Sequence, residues 1–308
     1  MNQSEFFAKY NIKAAKFEET GLIWEDLLVI YHDYVEFRKK LEEPALQLLN
    51  HIVKASNVHY VRYRIKNAEH LIEKIIRKKI DEPEIELSLD NYKTKITDLI
   101  GLRALHLFKE DWKGIDDFLR NKCNMTKTPL VYYRKGDDPN AISDFEVLQF
   151  SVKEHGYGYR SIHYFSEVDV PETEIKIAVE IQVRTIFEEA WSEIDHKIRY
   201  PYYLDHKLFA QYLMIFNRLA GSADEMGTFI KLLQVEIDSH NNEIKEKNEE
   251  ISRLVDKARD PKLDSKEIKE IKENIYRLTI MRDDIEIGDK RKKFINKFVS
   301  IFDENNLA

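Results

Sequence analysis

The chain has 308 residues and 43% hydrophobic content, enough to bury a full core with length left for a second unit. A formal net charge of −7 argues against a nucleic-acid surface spread over the whole molecule, so any phosphate site must be a local basic pocket. The one cysteine, Cys123, rules out an internal disulfide or a cysteine-rich metal site, and no window approaches the ~20 uninterrupted apolar residues of a membrane span. The expected setting is a reducing cytoplasm, with no membrane contact.

Residues 22–54 carry apolar side chains at helical spacing (Leu27, Leu28, Ile30, Tyr31, Tyr34, Val35, Phe37, Leu41), with Pro44 expected to bend or divide the helix. His32 and Asp33 lack the further His and Asp of a metal phosphohydrolase and read as surface. Val58 to Lys66 alternates as a strand with Arg62, Arg64 and Lys66 on one face. Asn67 then caps a helix in which Leu71, Ile72, Ile75 and Ile76 face inward while Lys74, Arg77 and Lys78 share an edge. From Arg62 to Lys79 there are seven basic residues against two acidic ones, the makings of a trap for phosphate oxygens in an otherwise acidic chain.

In the segment from Ile96 to Phe108, Gly101 reads as a tight turn into a strand, flanked by Asp98 and Arg103. Asp98 is then a carboxylate near a sheet edge, suited to a divalent ion, although an Asp before a glycine turn is also ordinary turn chemistry. Lys113 to Asn121 reads as a short helix, Thr128 to Arg134 as a strand, Lys135 to Ser143 as an exposed loop and Phe145 to Val152 as an alternating strand. In Lys153 to Tyr164, KEHGYGYRSIHY, the glycines let backbone approach a ligand and Tyr159 offers a flat face for a base, with His163 opening the next strand. A Gly-Tyr loop by itself is equally a plain hairpin turn.

The segment from Lys176 to Arg184 alternates Ile177, Val179, Ile181 and Val183 with Glu180, Gln182 and Arg184. A carboxylate, an amide and a guanidinium in one row are the inventory for a metal-bound polyphosphate. After Thr185 the period turns helical, with Ile186, Phe187, Ala190, Trp191, Ile194 and Ile198 as one stripe and Glu189, Glu193 and His196 along its edge. From Asp205 onward the pattern is helical: Ile230, Ile237, Ile244 and Ile251 recur every seven residues, with Leu233 and Leu254 at the companion position. After the break at Asp260-Pro261, Ile268, Ile271, Ile275 and Leu278 make a second stripe, which predicts an antiparallel helical hairpin. This tail is either structural or an arm for homo-oligomerisation or a partner.

In this order YRIK, DLIGLR, GYRSIHY and VEIQVRT followed by AWSEIDH resemble the synthetase domain of the RelA/SpoT alarmone synthetases. The resemblance implies an α/β fold, a mixed β-sheet of nucleotidyltransferase type flanked by helices, with a helical, coiled-coil-like C-terminal extension. The expected division is 1–57 helical support, 58–204 synthetase domain and 205–308 extension, without an attached hydrolase. It implies transfer of pyrophosphate from ATP to the 3′-hydroxyl of GDP or GTP, releasing AMP, with Mg2+ as cofactor. On this likeness Asp98 and Glu180 are the catalytic, metal-holding acids, and Arg64, Lys66, Lys74, Arg77 and Arg103 hold ATP. Lys153, Tyr159, His163, Gln182 and Arg184 contact the acceptor nucleotide. The family commonly has a Pro-Lys-x-Asn run before its Gly-Tyr, and here Lys153 stands in for that lysine. Toxin-type relatives that modify adenosine nucleotides or the tRNA 3′ end are the alternative, and tRNA stays open as a partner.

Overall fold

The computed structural model describes residues 2–137, 139–199, 206–260 and 264–287. The chain divides into two compact units, Met1–Thr228 and Phe229–Ala308. The first opens with helices α1 (Gln3–Tyr10), α2 (Ala14–Glu19), α3 (Trp24–Phe37) and α4 (Glu42–Ile52). The long helix expected over 22–54 is divided by a 3-10 turn at Arg38–Leu41. Pro44 follows in the first turn of α4, where its missing N–H costs no helical bond.

Strand β1 (Tyr60–Ile65), helix α5 (Ala68–Asp81), the short α6 (Tyr92–Lys95) and strand β2 (Ile100–His106) come next. Asn67 caps α5 as the sequence predicts, its Oδ1 accepting from the Glu69 N–H at 2.8 Å. They are followed by α7 (Trp112–Lys122), β3 (Leu130–Tyr133), α8 (Pro139–Val147) and β4 (Ser151–Glu154). Here two expectations are corrected: part of the exposed loop at 135–143 and the start of the strand at 145–152 are one helix. Phe145, inside the helix, and Phe150, just beyond its end, both pack on Trp112. Strands β5 (Ser161–Asp169) and β6 (Lys176–Thr185) lead into α9 (Ile186–Ile198). Thr185 starts α9 with a capping box, accepting from the Glu188 N–H while the Glu188 carboxylate accepts from the Thr185 N–H.

The six strands form one mixed sheet in the order β1-β2-β6-β5-β3-β4. Register assigns the two faces. Pairing of Arg64 with Gly101, Gly101 with Glu180, Arg103 with Gln182 and Gln182 with His163 puts these residues on one face. Leu130 opposite His163, and Tyr132 opposite both Ser161 and Lys153, extend that face to the far edge. The other face carries Val61, Leu102, Ala104, Val179, Ile181, Val183, Ile162, Tyr164 and Val131, all buried. Helix α4 packs on β1 and β2, α7 on β6, and α3 on α5, so the helices close this apolar face and leave the polar one for chemistry.

Helices α10 (Lys207–Lys257) and α11 (Ser265–Ile287) complete the described chain, and the predicted break at 260–261 falls between them. In the second unit Arg282 Nη1 donates to Asn248 Oδ1 at 3.3 Å and Ile271 is buried, but Ile230 and Ile237 of the seven-residue repeat are exposed. Among the described residues no helix is long and apolar enough to cross a membrane.

Candidate active site

Two carboxylates anchor the polar face. Asp98 sits in the turn just before β2, and the turn is tied to the end of β1 because the Lys66 N–H donates to the Leu99 carbonyl at 2.9 Å. The buried Tyr34 hydroxyl donates to the Lys66 carbonyl at 2.9 Å and fixes the same point from α3. Lys66 Nζ thereby lies 2.8 Å from Asp98 Oδ2, and Lys74 Nζ, one turn into the exposed edge of α5, lies 2.9 Å from Oδ1. Burial pushes the Asp98 carboxyl up, but Lys66 and then Lys74 outweigh it and leave it below the ordinary aspartate range. Burial also lowers Lys66, partly offset by Asp98.

Glu180 stands on β6, the strand next to β2, with His163 Nδ1 2.5 Å from its Oε1. Burial raises its carboxyl, and the His163 imidazole reverses that, while the charge of Asp98 pushes the other way. Gly101 lies within β2 and not in a turn, and its missing side chain lets Arg64 cross: a Cβ there would be 3.4 Å from Arg64 Nε.

The remaining cations are held by acids of the protein. Arg103 pairs with Glu189 at 2.7 Å and also with Glu193, one turn further along α9. Arg184 is fully buried, bonded to Gln182 and 3.3 Å from the same Glu189. One carboxylate thus bridges two guanidiniums, a role for Glu189 that its place on a helix edge did not reveal. Arg77 Nε donates to Glu73 on its own helix at 3.0 Å. Lys153 is exposed on β4, at the far edge of the same sheet face.

Tyr159 lies beside the row instead of projecting from it. Arg184 sits over its ring at 5.1 Å, its hydroxyl is 3.0 Å from His163 Nε2, and Tyr132 and His155 meet its ring edges. The exposed aromatic of this loop is Tyr157, whose ring lies 3.8 Å from the Arg199 guanidinium. Arg199 is itself held by both oxygens of Asp195, at 2.7 Å each. Tyr157, Arg199 and Asp195 escaped the sequence reading because a tyrosine between glycines and an i, i+4 Asp/Arg pair look like ordinary surface.

Among the described residues no group of three or more His, Cys, Asp and Glu could hold a metal ion by itself. Asp98 and Glu180, each a carboxylate beside the same sheet face, are still a fitting donor set for Mg2+, which is commonly held by one or two carboxylates with phosphates and water completing the shell.

Residues 63–205, which hold most of this sheet and its polar face, match the family model described as the region found in RelA / SpoT proteins. Two Bacillus subtilis (strain 168) proteins resemble the chain in sequence. The GTP pyrophosphokinase YwaC is 24% identical over 179 residues, 58% of this chain and 75% of that protein. The GTP pyrophosphokinase YjbM is 27% identical over 184 residues, 58% of this chain and 74% of its own length. Among solved structures, a GTP pyrophosphokinase family protein from Streptococcus pneumoniae superposes with a TM-score of 0.44 at 26% identity, covering 68% of this chain and 94% of that one.

Proposed function

We propose that this protein is a (p)ppGpp synthetase, moving the β,γ-pyrophosphate of ATP to the 3′-hydroxyl of GDP or GTP and releasing AMP. What carries the reading is that Asp98, paired with Lys66 and Lys74 in the turn before β2, lies at the edge of the sheet face that holds Arg64 and Glu180. In the transfer the acceptor 3′-oxygen bonds to the β-phosphorus while the bond from that phosphorus to the α–β bridging oxygen breaks. The electron pair leaves with AMP and the hydroxyl proton passes to a base, for which Asp98 and Glu180 are the candidates.

Arg64, Lys66 and Lys74 form the donor side. The two lysines now neutralise Asp98, and a polyphosphate offers them an equivalent set of oxygens. Asp98 and Glu180 would hold Mg2+, which supplies charge neutralisation to the phosphates when bound. Arg184, tethered to Arg103 through Glu189, stands beside Gln182 and His163 on the acceptor side, and Arg103 serves the donor. Purified protein with labelled ATP, Mg2+ and GDP or GTP should give a 3′-pyrophosphorylated guanosine nucleotide and AMP in equal amounts. Product only on adenosine nucleotides or on the tRNA 3′ end would transfer the reading to the toxin-type activity, and no product on any acceptor would end it.

A further inference from the structure

The first turns of α10 meet the site through specific polar contacts. Leu213, Asn217, Ala220, Gly221 and Asp224 are its buried residues. The Leu213 carbonyl accepts from Trp191 Nε1 at 2.8 Å, and Asp224 Oδ2 accepts from Thr185 Oγ1 at 2.9 Å. Gly221 lies against Arg160, where a Cβ would come within 3.2 Å of Nη1. Between these, Asn217 Nδ2 donates to the Gly158 carbonyl at 2.7 Å while its Oδ1 accepts from Arg134 Nη1 at 3.3 Å.

Both ends of the Asn217 amide are therefore engaged, and the side chain is buried at 4% exposure. The backbone it grips is a demanding one. Gly158 has φ +81°, a left-handed conformation that favours glycine, and a Cβ there would lie 3.2 Å from the Asn217 amide. The same turn is closed from its other side by Asp137, which accepts from Arg160 Nε at 2.8 Å and from the Arg134 N–H at 2.8 Å. Asn217, buried, and the partly buried Arg134, Asp137 and Arg160 thus form one network around the peptide that separates Tyr157 from Tyr159.

We propose that Asn217 is a positioning residue for the acceptor nucleotide: by holding the Gly158 carbonyl it fixes the Gly-Tyr loop that presents the acceptor-side aromatic rings. The proposal rests on the synthetase reading above. It assigns part of acceptor recognition to a helix outside residues 63–205, the matched RelA/SpoT region. Asn217 acts through the loop, so its loss should weaken acceptor binding and leave ATP binding alone.

The test compares the full chain with Asn217→Ala and Asn217→Asp. The aspartate keeps the volume and the acceptor for Arg134 but sets a carboxylate against the Gly158 carbonyl, so it serves if the alanine variant folds poorly. Amide hydrogen exchange over residues 155–161 should quicken about tenfold in both variants, with other segments unchanged. The KM for GDP or GTP should rise about tenfold while that for ATP stays within about twofold. Unchanged exchange in this loop overturns the clamp. Faster exchange with no change in acceptor KM, or with both KM values rising together, overturns the positioning role. A wild-type protein inactive on every acceptor marks failure of the synthetase reading before any variant is made, and the exchange experiment, which needs no activity, still decides whether Asn217 holds the loop.

Discussion

At the scale of single residues, the site is a set of charges already paired within the protein, and the pairings differ in how much they can be worth. Glu189 is 14% exposed and shared by Arg103 and Arg184, the latter with a side chain only 1% exposed. Glu193 is 48% exposed and touches Arg103 alone. Glu189→Ala leaves a buried guanidinium without its counter-charge and should lower unfolding stability by about 3 kcal/mol. Glu193→Ala removes a wet pair and should cost under about 1 kcal/mol. Chemical denaturation of the two variants measures the difference, and equal losses would show that Arg184 does not depend on Glu189. Asp98 and Glu180 differ again: Lys66 and Lys74, which a polyphosphate can engage in its place, hold Asp98 below its usual range, whereas Glu180 is held down chiefly by its hydrogen bond to His163.

Among the elements, β6 and its passage into α9 were legible from sequence because strand period and helix period are both local: Ile177 to Val183 alternate, and the period changes after Thr185. The motif order likewise marked Asp98, Glu180 and the basic residues of β1 and α5. What stayed hidden depends on tertiary contacts. The helix at 139–147 crosses from a stretch with loop composition into one that alternates, and its end is packed by Phe145 and Phe150 on Trp112, a contact that local pattern does not show. The start of α10 departs from the usual amphipathic rule: Leu208, Tyr212, Met214, Ile215 and Leu219 are exposed while Asn217 and Asp224 are buried, so hydrophobic pattern does not mark Asn217. The Gly-Tyr loop gives a prediction at this scale. Gly158→Ala must adopt φ +81° and approach Asn217, so it should raise acceptor KM at least about tenfold with the ATP KM little changed. A kinetically silent Gly158→Ala would mean that the loop conformation is not used.

For the molecule as a whole, the first unit carries a built-in pH dependence. Asp224 is buried beneath Thr185, and burial, then the nearby charge of Glu188, pushes its carboxyl up to about 7, against the opposing effects of Thr185, Lys109 and Arg160. The folded state therefore keeps a proton that the unfolded chain has lost, and stability from this group falls as pH rises from 3.8 to about 7 and is flat above. Asp224→Asn should widen its thermal-stability advantage over the wild type across that window, whereas a constant difference would place the titration elsewhere. The catalytic reading rests on Asp98, paired with Lys66 and Lys74, lying at the edge of the sheet face that holds Glu180. Its most direct test is the rate of pyrophosphate transfer from labelled ATP to GDP or GTP by the wild type, Asp98→Asn and Glu180→Gln, with circular dichroism confirming that each is folded. The wild type should form product and each variant should lose roughly a thousandfold or more in rate; a folded variant of either acid that keeps the wild-type rate would contradict it.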